Sequence, residues 1–547
     1  MRATNMKKAI SKTQFLLAPM VAAVLLLTVA AHAAAPGIKG TAFSLTAQTA
    51  YITQPDGQMI YSWGYGCANT TGNTFVPAAI ASATCPNMQV PGPTLIVTEG
   101  QAVTVTLTNN LPTAAGNTSI LFPGFVLQAF TDGTPGLLTQ EATPGHLVTY
   151  RFTAGSPGTR AYYSGTQSDL QVEMGLYGAI IVLPGNVPPA CTSPAIRSNL
   201  FGVAGYAGNQ ESDFRLADAA YDSPRTCYDR EYLFQFSEMD PNIHAQALAQ
   251  VNARAGCTAG AAGCSLEVPT EPYHPAYFMI NGRSMPDDMD PNYAVQYPHQ
   301  PYNGNPHMHP GELVLLRIIG QGRWQHPFHE HGNHVRILGR DGNLITASAT
   351  DTTNLAGPLL FTTTTTPGLA MDGIFYWTAK GLNWDAYGHN PASQDPNAKL
   401  LCTPDVNGYN TGVAAQTAIN YYEWCQDHNK PVQAAPFGDV AGGGPVTLPD
   451  PNLFTNGAWY GGSPYLGPDA TLRATGCAAG APANSCGATG STPPSGTIAN
   501  PPASEAGFAF MWHSHNEREI TTNNIFPGGM LMMMLVDSRE FVIDESN

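Results

Sequence analysis

The sequence predicts an all-β protein of two tandem β-sandwich domains, the second carrying long disulfide-pinned insertions. Three observations predict it. Only 11% of the 547 residues are charged, while Gly (56) and Pro (46) are abundant, which disfavours long helices and favours short strands joined by turns. Apolar and polar residues alternate in runs of four to eight, the period of a half-buried strand. These runs fall into two groups, separated by stretches rich in Gly, Pro and Cys.

The chain opens with Arg2, Lys7, Lys8 and Lys12, then an apolar run from Phe15 to Ala30, then Ala31-His32-Ala33. This is the pattern of a secretory signal peptide over residues 1–33, cleaved after Ala33. The apolar run is short for a membrane span, and no later run is long enough, so no transmembrane segment is expected after cleavage. Loss of the leader takes the chain from 23 to 19 Lys+Arg against 39 Asp+Glu, a net charge of −20. So acidic a surface repels phosphate, so no nucleic-acid partner is expected. The expected location is outside the cytoplasm: periplasmic, secreted or at the cell surface. Ten cysteines suit an oxidising compartment. Neighbours in sequence would pair as 67–85, 191–227, 257–264, 402–425 and 477–486. None adjoins a histidine, so stapling of loops, and not metal binding, is their expected role.

A first domain is expected over 36–190. Leu95–Asn110 reads as strand, turn at Glu99-Gly100, and strand. Leu147–Phe152 and Gly178–Leu183 follow, with turns at Asp132-Gly133 and Pro144-Gly145. Residues 191–229 read as a linker. The second domain, 230–547, has strands at 231–236, 276–282, 311–319, 335–338, 373–378, 508–512 and 530–536. Insertions at 245–272 and 385–507 interrupt it. A structureless loop as long as the second is improbable inside a domain, so a disulfide-pinned lid or subdomain is expected there.

Six of the 15 histidines fall in two clusters, His326-Pro-Phe-His329-Glu-His331-Gly-Asn-His334 and His513-Ser-His515. His329, His331, His513 and His515 offer four neutral nitrogen donors, a set that suits copper, zinc, iron or nickel. His307-Met-His309 is the one other His-x-His. The Gly311–Ile319 strand puts it roughly 30 Å from His326, so it is expected to be a solvated loop or a separate weak site.

At these motifs the sequence resembles the multicopper oxidases. The resemblance rests on Phe278-Met-Ile-Asn-Gly-Arg-Ser, Pro310-Gly-Glu-Leu-Val-Leu-Leu-Arg, His326-Pro-Phe-His-Glu-His-Gly, Arg340-Asp-Gly, Trp512-His-Ser-His and Pro527-Gly-Gly-Met-Leu. In the first domain it rests on Pro91-Gly-Pro-Thr-Leu, Gly158-Thr-Arg-Ala-Tyr-Tyr and Gly175-Leu-Tyr-Gly-Ala-Ile-Ile-Val. It implies cupredoxin-like Greek-key sandwiches, copper, and oxidation of a small molecule or metal ion with oxygen as acceptor. The chain also departs from the family. Ser514 and Glu519 stand where the family has the cysteine and last histidine of its type 1 copper, leaving His326 with Met530 as a possible axial neighbour. Leu121–Gly124 and Tyr163–Gly165 stand where the first domain's two His-x-His pairs belong. A hydroxyl cannot replace the thiolate of a blue copper site.

The expectation is therefore one or two non-blue copper ions on His329, His331, His513 and His515. His326 is either a further ligand or, with Glu519, an acid–base pair, Glu519 being either a neighbour of His326 or an exposed acid. The activity expected is that of an oxidoreductase. The alternatives are a copper storage or delivery protein, or an interaction protein with a degenerate site. A homo-oligomer, or a partner subunit completing the copper site, is compatible with each.

Overall fold

The computed structural model describes residues 35–192 and 215–377 apart from isolated loop positions, 506–537, residue 543, the strand 462–466, and fragments of 403–425. The expected leader, most of the 385–507 insertion and Cys477 and Cys486 lie outside the described residues.

The principal strands of the first domain are β1 (Gly37–Lys39), β2 (Ala42–Thr53), β3 (Met59–Asn69), β4 (Thr74–Val76), β5 (Leu95–Thr98), β6 (Ala102–Asn109), β7 (Leu147–Thr153), β8 (Gly158–Tyr163) and β9 (Tyr177–Leu183). They form two facing sheets, ordered β8-β9-β5-β1-β4 and β3-β2-β6-β7. The chain repeatedly changes sheet. At Glu99-Gly100 it passes from β5 in one to β6 in the other, and Gly100 takes the turn at a φ of 81° that a side chain would resist. Residues alternating inward, such as Val103, Val105 and Leu107 of β6, fill the core between the sheets. The long β2–β3 hairpin was not foreseen, although Phe43, Leu45 and Ala47 of β2 alternate into the core.

The second domain contains β10 (Arg230–Met239), β11 (Tyr277–Ile280), β12 (His307–Met308), β13 (Leu313–Gly320), β14 (His326–Glu330), β15 (Val335–Arg340), β16 (Asn343–Leu344), β17 (Thr362–Thr365), β18 (Ala370–Tyr376), β19 (Gly462–Leu466), β20 (Ala506–Ser514) and β21 (Leu531–Asp537). One sheet runs β11-β10-β13-β18-β15-β16, the other β12-β21-β20-β14-β17, with β19 pairing β20. The core between them is aromatic, with Phe234, Phe236, Phe328, Phe375 and Trp512 fully or almost fully buried. Both domains are cupredoxin-like β-sandwiches.

His307-Met308 is strand β12, paired with β21, and His307 and His309 are buried. This corrects the expectation of a solvated loop: the segment completes the same sheet that carries the other histidine clusters. The 245–272 insertion also differs from an independent loop. Its first part belongs to helix α1 (Pro241–Ala253), started by Asp240, whose carboxylate accepts from the Asn242 N–H, with Pro241 in the first turn. Ile243, Ala247, Leu266, Val268 and Tyr273 then join the core of the first domain.

The domains are tightly coupled. Buried Asp372 of β18 accepts from the Thr159 backbone N–H (3.0 Å), the Thr159 hydroxyl (2.6 Å) and the Tyr221 hydroxyl (2.7 Å). Arg317 of β13 pairs with Glu231 at 2.8 Å and with Asp372 at 3.6 Å. Gly282 approaches Val90 so closely that a Cβ would lie 2.1 Å from the Val90 carbonyl oxygen.

Disulfides 67–85, 191–227 and 257–264 are formed. Cys425 is also disulfide-bonded; the rest of the pairs expected at 402–425 and 477–486 lies outside the described residues. Cys67–Cys85 closes a loop of sequence separation 18. The double variant C67S/C85S is therefore expected to lose roughly 3 kcal/mol, read as a lower midpoint in denaturant unfolding. Among the described residues no helix is long and apolar enough to cross a membrane.

Candidate metal centre

Strand β14 lies between β20 and β17, with His329 opposite both His513 and Thr362. Side chains alternate along it. Phe328 points into the core, so Pro327, His329 and His331 emerge on the other face. Along β20 Phe510 and Trp512 face the core, which sends His513 to that same outer face. Two His-x-His pairs on adjacent antiparallel strands thus converge. The Trp512 indole N–H donates to the His331 carbonyl at 2.9 Å, and the His515 N–H to the Pro327 carbonyl at 2.8 Å, fixing the strand ends.

The ligand nitrogens of His329, His331 and His513 lie within 4.8 Å of one another. His513 Nδ1 is 2.7 Å from the Ser514 carbonyl, an acceptor, so the neutral ring carries its proton there. Its Nε2 is left with a lone pair, 3.2 Å from His331 Nε2. His329 Nδ1 is 2.7 Å from the Thr362 hydroxyl, which holds the ring from behind as an outer partner holds a metal-binding imidazole. Burial and the neighbouring imidazoles of His331, His515 and His513 push His329 down to about 3, keeping it neutral. Burial also lowers His513. His515 is exposed and outside this compact set, its ring centroid 4.7 Å from that of His329. Converging imidazoles, with no thiolate beside them among the described residues, fit a borderline cation such as Cu(II), and do not fit a blue copper site. Replacing Thr362 with valine frees the His329 ring and is expected to weaken copper binding about 10- to 100-fold, measured by competition with a chelator.

His326 is placed differently. It is fully buried, with Nε2 2.8 Å from Glu238 and Nδ1 2.8 Å from Glu519. Both ring nitrogens are taken by carboxylates, so His326 presents no lone pair to a metal, which corrects its assignment as a ligand. Burial alone would lower its pKa, but the hydrogen bonds to Glu238 and Glu519 outweigh it and hold the ring at about 9, an imidazolium at neutral pH. Glu519 is buried as well, which removes the reading as an exposed acid; it also accepts from the Ser514 hydroxyl and, at 2.8 Å, from the Asn516 amide. Glu238 accepts from the backbone N–H groups of Arg323 (2.7 Å) and Trp324 (2.9 Å). The Tyr273 hydroxyl lies 3.3 Å from Glu238 and 2.6 Å from Glu173, which burial raises to about 8. Where the resemblance expects type 1 copper, the chain has a buried Glu–His–Glu clasp tying β14 to β10 and to the turn after β20. Glu238, 88 residues from His326, was missed; an acid in the apolar run Glu231–Met239 was the available signal. Met530 is a core residue whose N–H donates to the Glu519 carbonyl at 2.8 Å.

In the first domain Leu121 and Tyr163 form a β-bridge, the Leu121 N–H donating to the Tyr163 carbonyl at 2.7 Å. The two segments where the resemblance expects histidine pairs do meet, but they bring leucine, proline, tyrosine and serine, and no imidazole.

Two cupredoxin-like sandwiches, the second carrying a histidine cluster, are thus the frame of the chain. Multicopper oxidase domain models match residues 70–186 and 269–374. It is similar to the multicopper oxidase MCE of Talaromyces pinophilus, 39% identical over 105 residues, covering 19% of this chain and 17% of that protein. It is also similar to a copper resistance protein A homolog of Pseudomonas syringae pv. tomato, 34% identical over 133 residues, covering 24% of this chain and 21% of that one. The matches thus span about a fifth of each relative. Among solved structures, a blue copper oxidase from Nitrosomonas europaea aligns over 91% of this chain and 86% of its own at 15% identity and a TM-score of 0.42.

Proposed function

We propose that this chain is an exported, non-blue copper protein that oxidises a small reductant or metal ion with oxygen as acceptor. The observation that carries the reading is the meeting of His329, His331 and His513 nitrogens within 4.8 Å on one sheet face. Bound there, copper supplies a Cu(II)/Cu(I) couple between reductant and oxygen. His329, His331 and His513 would hold the ion, and exposed His515 stands at its open side. The chain's other residues do the orienting. Thr362 and the Ser514 carbonyl set the two rings, and the Glu238–His326–Glu519 clasp fixes the strands beneath them. His326 and Glu519 are in this reading positioning residues, and not an acid–base pair, because neither reaches solvent. A partner subunit, or a second copy of the chain, is the remaining source of further ligands.

The same clasp favours a second reading, copper storage or delivery without turnover, since a charged ion pair occupies the place of the electron-accepting copper. Oxygen uptake by the copper-loaded chain with ascorbate or a substituted phenol decides between the two. Uptake abolished in H329A supports the oxidase. Copper bound without uptake supports storage, and no bound copper removes both.

A further inference from the structure

Between the two domains lies an open cleft of about 240 Å³. The first domain lines it with Tyr163, Ser168, Asp169 and Val172, the second with Gln321, Gly322 and Pro367. Apart from the Tyr163 hydroxyl, its polar side chains present acceptors. The Ser168 hydroxyl donates to the Ser164 carbonyl at 2.8 Å, which leaves only its lone pairs to the cleft. Both hydrogens of the buried Gln321 amide are taken, by the Gly178 carbonyl (3.0 Å) and by Gln235 Oε1 (3.1 Å), so its remaining polar atom is the acceptor Oε1. Asp169 can only accept, and the Thr270 hydroxyl fixes one of its carboxylate oxygens at 3.0 Å. Among the described residues no Lys, Arg or His lines the cleft. Arg323, next to Gly322 in sequence, is engaged elsewhere: its guanidinium lies 4.2 Å over the Tyr273 ring and pairs with Glu271 at 2.6 Å. Gly322 also separates the cleft from the clasp. A Cβ there would lie 2.5 Å from Glu238 Oε2, so bare backbone stands over the Glu238–His326–Glu519 group, in which two carboxylates share one imidazolium.

We propose that this cleft is a binding site for a small organic ammonium ion, an alkylamine, separate from the histidine centre. An ammonium carries three N–H donors and no acceptor, the complement of Asp169, Ser168 and Gln321. The Asp169 carboxylate at the rim, and the excess carboxylate of the clasp below, supply the charge that makes such hydrogen bonds strong. Val172 and Pro367 are apolar wall for the alkyl chain. At roughly 30 Å³ per water molecule the volume holds about eight waters, so the ligand has fewer than about ten non-hydrogen atoms. An anion would meet a carboxylate and no cation, and a neutral alcohol would leave Asp169 without a counter-charge. Thr362 stands opposite His329, and Pro367 of the cleft is five residues further along the chain. At roughly 3.3 Å per residue this places the cleft about 16 Å from the imidazole centre. A bound amine therefore does not touch a metal ion there, and the two sites can be tested apart.

The test is calorimetric titration of the full chain with butylammonium, and with 1-butanol and butyrate as its neutral and anionic counterparts. The wild-type chain is expected to bind one butylammonium and neither of the others. D169N should bind butylammonium roughly 10- to 100-fold more weakly, the loss of one charge-assisted hydrogen bond. D351N, which removes an exposed acid outside the cleft, should bind it as the wild type does, and so should H329A/H513A. Equal affinity of the wild-type chain and D169N, or equal weakening in D169N and D351N, would reduce the binding to the general attraction of an amine for an acidic surface and overturn the proposal. Butanol bound as tightly as butylammonium, or no binding by the wild-type chain, would overturn it as well. Selectivity among the three probes is read on the wild-type chain, so it decides the matter even if D169N does not fold, and none of these outcomes touches the imidazole centre.

Discussion

Replacing His326 with leucine is expected to lower stability by about 3–5 kcal/mol, the usual cost of removing one partner from a buried ion pair. Glu238 and Glu519 would remain buried, and neither has another cationic side chain among its described hydrogen-bond partners. Part of the cost is relieved when the acids are removed too, so E238L/H326L/E519L should be more stable than H326L alone. The pH dependence has a definite sign. The folded pKa of His326, about 9, lies above its ordinary value of 6.5. The clasp therefore stabilises fully below pH 6.5, and about 3 kcal/mol is lost as pH rises from 6.5 through 9. Thermal unfolding of the wild-type chain from pH 6 to pH 10 should show this fall, and H326L should lack it. A parallel fall in both would mean that another group carries the pH dependence.

His513→Ala and His329→Ala are each expected to weaken copper binding by more than ~100-fold, beyond the loss seen for outer partners of a metal ligand. Each removes one of three nitrogens from the compact set, and the remaining two cannot enclose an ion. His515→Ala is expected to cost less than about tenfold, because His515 is exposed and lies outside that set. Copper content after dialysis against a chelator measures the difference. Equal losses for H513A and H515A would place the ion between the strand-end pair and not among the three nitrogens of the compact set.

The centre was legible because its chemistry is local. Alternation along His326–His331 and Met511–His515 sets which rings share a face, and one hydrogen-bonded register brings them together. The substitution of Ser514 and Glu519 for metal ligands was equally plain in sequence. The ion pair found at that position was not. Glu238 and Glu519 reach His326 from 88 and 193 residues away, and no short-range pattern links them. The helix from Pro241 had a readable start in Asp240-Pro241, yet it sits in an Ala- and Gly-rich stretch that reads as loop; its packing against the first domain is a tertiary fact. The methionine run 532–534 gave no hint that its middle member faces outward until the partner strand fixed the pleat.

The most direct measurement is metal content with EPR and visible absorption on the chain loaded with Cu(II). One tightly held copper without an intense blue band, lost in H513A, is the result expected of a histidine centre beside a metal-free clasp. An intense blue band would contradict it by requiring a thiolate that position 514 does not supply, and a chain that retains no copper would leave the converging imidazoles without an ion to hold.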